Sequence, residues 1–109
     1  MKLRIVVLLA MFAALPVAVL AAGSAKQGKQ VFAAHCQMCH GPNGEGNPAL
    51  AKMLHATIPP LGSKAVQSLS DAQIKEVIAN GKGKMQAIHG LSAADITNVI
   101  AFVRTLGKK

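Results

Sequence analysis

Hydrophobic residues in the second half of the chain return every three or four positions. Ile74, Val77 and Ile78 form one such set, and Ile96, Val99, Ile100, Val103 and Leu106 form another. That spacing lays each set along one face of a helix. The first opens on a capping-box signal, Ser70-Asp-Ala-Gln73, in which the fourth residue can reach back to the first backbone N–H, and the second opens at Ser92-Ala-Ala-Asp95. The first stops at Asn80-Gly81; the second stops at Gly107, and Lys108-Lys109 suit the negative end of its dipole. Ser24-Ala-Lys-Gln27 carries the same pattern and predicts a helix over about 25–34, with Gly28, Val31, Phe32 and His35 near one face. Gly28 inside that helix costs about 1 kcal/mol relative to Ala, but one turn before Phe32 its missing bulk lets another helix come close.

The connecting stretches read differently. Residues 41–48 hold three Gly, two Asn and two Pro, a loop composition, and Asn47-Pro48 then predicts an N-cap and first turn of a short helix to about His55. Thr57-Ile-Pro-Pro-Leu61 is extended, because each Pro disfavours helical geometry in the residue before it. Gly81-Lys-Gly-Lys-Met85 through Gly90 reads as loop. There is no alternating strand pattern and no internal repeat, so the fold class is all-α.

The first 22 residues follow another rule. Met1-Lys-Leu-Arg4 is basic, the next 18 residues carry no charge, and the run ends in small side chains at Ala21-Ala22. This predicts a secretory signal peptide over 1–22, cut after Ala21 or Ala22, and a functional domain over 23–109 delivered to the periplasm. An uncleaved anchor is the alternative, since 18 apolar residues approach the roughly 20 of a spanning helix.

Composition sharpens this picture. The 109 residues carry a net charge of +8, falling to +6 (ten basic against four acidic residues) once Lys2 and Arg4 leave with the leader. Apolar residues make up 51%, which excludes disorder, yet aromatics make up only 3%, with no Trp or Tyr. A chain of this size buries only about 60–65% of its unfolded surface. With two Phe downstream of the leader, Phe32 and Phe102, its core is underfilled, and exported domains of this size usually add a staple. Cys36 and Cys39 are the only cysteines, and a bond between them would close too short a loop to constrain the chain.

Cys36-Gln-Met-Cys39-His40 has the spacing of a covalent haem attachment site. Two thiols three residues apart can form thioethers to both vinyl groups of one haem, and the adjacent His is then held under the iron. A thioredoxin-like pair would follow a strand, and none is predicted. A structural zinc needs four ligands, and only one Cys pair exists, with His55 and His89 far from it in sequence. One haem c per chain also supplies the missing aromatic bulk. The second axial ligand comes from Met53, Met85, His35, His55 or His89; Met38 lies between the two attachment points. Met53, at apolar spacing from Leu50, is expected in the core, and His35 is expected in a solvated or packing role. Met85, 45 residues after His40 in a Gly-rich loop between helices, is preferred, with His89 the alternative.

With these residues in place the chain resembles a class I cytochrome c over essentially all of residues 23–109. Gly28-Lys-Gln-Val-Phe32 resembles the Gly and aromatic of that family's first helix, and Val99-Ile-Ala-Phe102 the aromatic stretch of its last. Asn80-Gly-Lys-Gly-Lys-Met85 is similar to the family's Met-ligand loop. The resemblance implies four to five helices around one covalent haem, with the first and last helices crossing near-perpendicularly. It also implies His40 and Met85 as iron ligands and a Pro carbonyl, from Pro59 or else Pro60, accepting from the ligand His. Two departures stand out: Gln86 occupies a position where many members have Pro, and no Trp or Tyr is present to meet the haem propionates.

A haem with both axial positions filled has no substrate site, so the expected function is one-electron transfer, not catalysis. The sequence points to a periplasmic shuttle between a quinol-oxidising complex or dehydrogenase and a terminal oxidase or reductase. A dedicated dehydrogenase subunit, or a ligand-binding haem protein with a labile Met85, are the alternatives. Lysines scattered along the chain and the lack of aromatic platforms argue against nucleic acid. Lys82 and Lys84 beside Met85 suit acidic docking patches on redox partners, with a monomeric carrier touching membranes only through partner complexes.

Overall fold

The computed structural model describes residues 23–108; the expected signal peptide lies outside them. Six helices follow in order: α1 Ala25–His35, α2 Gln37–His40, α3 Pro48–Met53, α4 Lys64–Gln67, α5 Asp71–Asn80 and α6 Ala93–Leu106. Among the described residues there is no strand, and no helix is long and apolar enough to cross a membrane. The expectation of four to five helices is exceeded by the single turns α2 and α4, too short to leave a periodic mark.

The cap signals act as the sequence predicts, with one instructive exception. Ser70 with Gln73 and Ser92 with Asp95 form complete capping boxes. Ser24 accepts from the Gln27 amide at 3.2 Å, but the Gln27 side chain does not return the bond. Asn98 of α6 takes that place: its Oδ1 accepts from the Ser24 amide at 2.9 Å, and its Nδ2 donates to Gln27 Oε1 at 3.1 Å. The start of α1 is therefore capped partly by α6.

The same two helices make the main crossing. A Cβ on Gly28 would overlap the carbonyl of Asn98 and lie 2.9 Å from the Val99 nitrogen, so backbone rests directly on backbone. One turn on, Phe32 meets Phe102 with ring centroids 5.0 Å apart at 56°, a tilted pair. Phe32 and Val99 are the most deeply buried side chains, and Ile74, Ile78, Ile100, Phe102 and Val103 complete the buried set. No polar or charged residue is buried among the described residues.

Arg104 locks α6 to the α4–α5 junction. Its guanidinium donates to the carbonyls of Gln67 at 3.0 Å and Leu69 at 2.6 Å, and to Asp71 Oδ1 at 2.7 and 3.1 Å. Gln67 reinforces it by donating to the carbonyls of Leu61 and Val103. His35 is exposed, the solvated one of its two expected roles, while Gly28 and Phe32 of the same helix are buried. One expectation fails. Met53 is 72% exposed rather than core, because α3 stops there. The chain turns away through Leu54 and His55 in a Schellman arrangement: the Ala56 amide donates to the Ala51 carbonyl and the His55 amide to that of Lys52, with His55 left-handed at φ 52.

Candidate functional site

Cys36 ends α1, its amide donating to the Phe32 carbonyl at 2.8 Å, and its φ of −121 breaks the helix by one residue before α2 begins. The Cys-x-x-Cys-His stretch is thus wound on a single turn, with Cys36 and Cys39 spaced like neighbours on one side. Both thiols are free and half-buried, and Cys36 packs against the core cluster. Burial, and secondarily the neighbouring Cys39, push the Cys36 thiol up to about 11. A reactive disulfide-exchanging pair has the opposite shift.

The carbonyls at the end of this turn are all engaged. Gly41 leaves the helix at φ 78 and donates to Gln37, Asn47 Nδ2 donates to Met38, the Asn47 amide to Cys39, and the Gly46 amide to His40 at 2.6 Å. The Leu61 amide donates to the Gly44 carbonyl at 2.8 Å, tying the Pro59-Pro60 segment to this loop. Asn47, read from the sequence only as a cap of α3, therefore serves the attachment turn as well. Its partners Met38 and Cys39 lie nine and eight residues earlier in the chain, so this second role depends on loop closure.

His40 sits against Phe32, ring centroids 6.4 Å apart at 43°. Burial lowers its pKa, which keeps the imidazole neutral with a lone pair available. Its Nδ1 is buried and has no hydrogen-bond partner, so neither Pro59 nor Pro60, both exposed, engages it here.

Met85 lies on a second element. The amide of Lys82 donates to the Met85 carbonyl at 3.0 Å and the amide of Met85 to the Lys82 carbonyl at 2.9 Å, with Gly83 left-handed at φ 57 between them. What reads as open loop is a two-residue turn closed by reciprocal bonds, and it supplies the rigidity that Gln86 does not. The Ile88 amide then donates to the Ile78 carbonyl, and Ile88 and Leu91 pack on the core. Met85 is half-buried, whereas Met38 (79%), Met53, His35, His55 and His89 are exposed.

The donor set fits a covalent haem. It comprises two free thiols on one turn, a neutral imidazole with an orphaned buried nitrogen beside them, and a half-buried thioether on a pinned turn. Among the described residues no three His, Cys, Asp or Glu gather as ligands for a bare metal ion. Half-buried Val31, Leu61, Leu69, Ile88, Leu91 and Ile96 surround a small core, a pattern suited to a flat apolar group.

Comparison with known proteins gives three results. Residues 23–103 match the family described as cytochrome C oxidase, cbb3-type, subunit III. The Cbb3-type cytochrome c oxidase subunit FixP of Azorhizobium caulinodans (strain ORS 571) is 38% identical over 87 residues, covering 77% of this chain and 28% of FixP, so the chain spans little more than a quarter of that relative's length. The structure resembles that of the KustC0563 c-type cytochrome with a TM-score of 0.60, covering 72% of this chain and 95% of that one; at 24% identity the likeness speaks for the fold.

Proposed function

This chain belongs to the c-type cytochromes, in the family described as cytochrome C oxidase, cbb3-type, subunit III, and on that premise we propose that it carries single electrons outside the cytoplasm to a terminal oxidase. It is an electron-transfer protein with covalently bound haem c. When bound, the haem supplies an iron centre that gains and loses one electron reversibly.

The protein's own residues set how that happens. Cys36 and Cys39 would hold the group through thioethers, and His40 and Met85 would supply its imidazole and thioether donors. Burial of His40 keeps its imidazole neutral, as a ligand requires. The soft thioether of Met85 favours iron(II) and so raises the potential. With both donors in place no position is left for a substrate, which separates a carrier from an enzyme. Pro59 is the proposed acceptor for the orphaned His40 Nδ1–H: the Pro60 carbonyl already accepts from the Ser63 amide at 3.0 Å, while that of Pro59 has no such partner. Ile88, Leu91 and Leu61 exclude water from the interior.

The observation that carries this reading is the attachment turn itself, with free Cys36 and Cys39 beside a half-buried His40 whose Nδ1 is inaccessible and unpartnered. The similarity to FixP favours an oxidase as acceptor over a dehydrogenase, and the exposed Lys82 and Lys84 flanking Met85 favour an acidic docking surface. The chain acts as a monomer reaching membranes through such complexes. Redox titration of the holoprotein tests it. A carrier gives a single one-electron wave, and its ferrous form binds carbon monoxide slowly; rapid carbon monoxide binding by the wild type would favour a ligand-binding protein.

A further inference from the structure

We propose that Gly81 positions Met85, acting as a seat on which the ligand's own peptide rests; this deepens the assignment of Met85 as axial donor and rests on it. Gly81 caps α5 with φ 79 and ψ 173, a conformation open essentially to glycine alone. That turn sends the chain back across Gly81. A Cβ there would lie 2.6 Å from the Met85 carbonyl oxygen, 2.9 Å from the Ala87 nitrogen and 3.1 Å from the Gln86 carbonyl carbon. All three are backbone atoms, so nothing can rotate out of the way. The threatened Met85 oxygen is also the one that accepts from the Lys82 amide to close the turn. Bulk at Gly81 therefore presses on the peptide that carries the sulfur and on the bond that fixes it.

Gly83 supplies an internal control. It too has a positive φ, 57, yet a Cβ there meets nothing within 4 Å. Substituting Gly83 imposes backbone strain without contact on Met85, and substituting Gly81 imposes both.

The experiment uses ferric holoprotein and reads two quantities: the rate of binding of added imidazole, and the weak red charge-transfer band of sulfur-ligated iron. Gly81→Ala should speed imidazole binding by about tenfold or more through a larger open population, with a weakened band, while Gly83→Ala stays near wild type in both. Met85→Ala should lose the band, and adding Gly81→Ala to it should change the imidazole rate no further. Wild-type values in Gly81→Ala, with the band lost in Met85→Ala, would overturn the role of Gly81 and leave the ligand intact. Equal effects from both glycine variants, or a further increase in the double variant, would also overturn it. A band retained in Met85→Ala would instead show that the ligand assignment is wrong. If Gly81→Ala yields no folded protein, amide exchange of the wild type decides. Lys82 and Met85 amides should be protected comparably to Ile88, and exchange at free-chain rates would refute a clamped seat.

Discussion

Replacing Gly28 with Ala places a methyl group inside the carbonyl of Asn98, with the Val99 nitrogen 2.9 Å away. These are backbone atoms in the middle of α6, so the helices themselves must separate. Ala gains about 1 kcal/mol of helix propensity over Gly. Against it, separation loosens the Phe32–Phe102 pair, worth about 0.5–1.5 kcal/mol beyond its buried area. It also stretches the two Asn98 hydrogen bonds to Ser24 and Gln27, at about 1 kcal/mol each. Partial opening around Phe32 and Val99, both 1% exposed, adds roughly 1–2 kcal/mol, well short of the 3–5 kcal/mol of deleting a buried Phe. The net is a loss of about 2.5–4.5 kcal/mol, which for a domain of this size lowers the melting temperature by about 10–35 °C. Thermal and urea unfolding of the holoprotein, followed by circular dichroism, measures it. Stability of Gly28→Ala within about 0.5 kcal/mol of wild type would mean that propensity alone decides there, and the α1–α6 contact described above would be wrong.

Three further outcomes follow from particular contacts. His55→Gly should stabilise the protein by about 0.5–1 kcal/mol, because the left-handed position ending α3 suits Gly better, and urea midpoints would show it. Arg104→Ala should cost about 2–3 kcal/mol by stripping the Gln67 and Leu69 carbonyls of a charged donor; Asp71→Ala should cost under about 1 kcal/mol, since that carboxylate is 72% exposed, and equal losses would contradict the ranking. Lys82→Glu with Lys84→Glu should slow electron transfer to an acidic partner and flatten its salt dependence, so stopped-flow rates unchanged by that reversal would place docking elsewhere.

The parts legible in the sequence were those set by local chemistry. α1, α5 and α6 announce themselves through apolar spacing and serine caps, and the attachment turn through the spacing of Cys36, Cys39 and His40. Gly28 and Phe32 already pointed to a close helix crossing, which Asn98 and Phe102 supply. The rest depended on contacts between distant residues. Nothing local tells Gln27 to leave its own cap to Asn98, or Arg104 to reach three groups on the α4–α5 junction. α2 and α4 are single turns without a period, and Met53 looked apolar enough for a core that α3 ends too soon to reach. Gly81 and Gly83 both read as loop residues, and only the fold shows that one carries the Met85 peptide while the other faces open space.

Met85 is the proposed sulfur donor to the iron, and the red absorption spectrum of the ferric holoprotein is its sharpest test. With Met85 as donor, the weak sulfur-to-iron charge-transfer band is present in the wild type and in Met53→Ala, whose side chain is largely exposed, and is lost in Met85→Ala. A band that survives Met85→Ala, or that disappears in Met53→Ala instead, would contradict it.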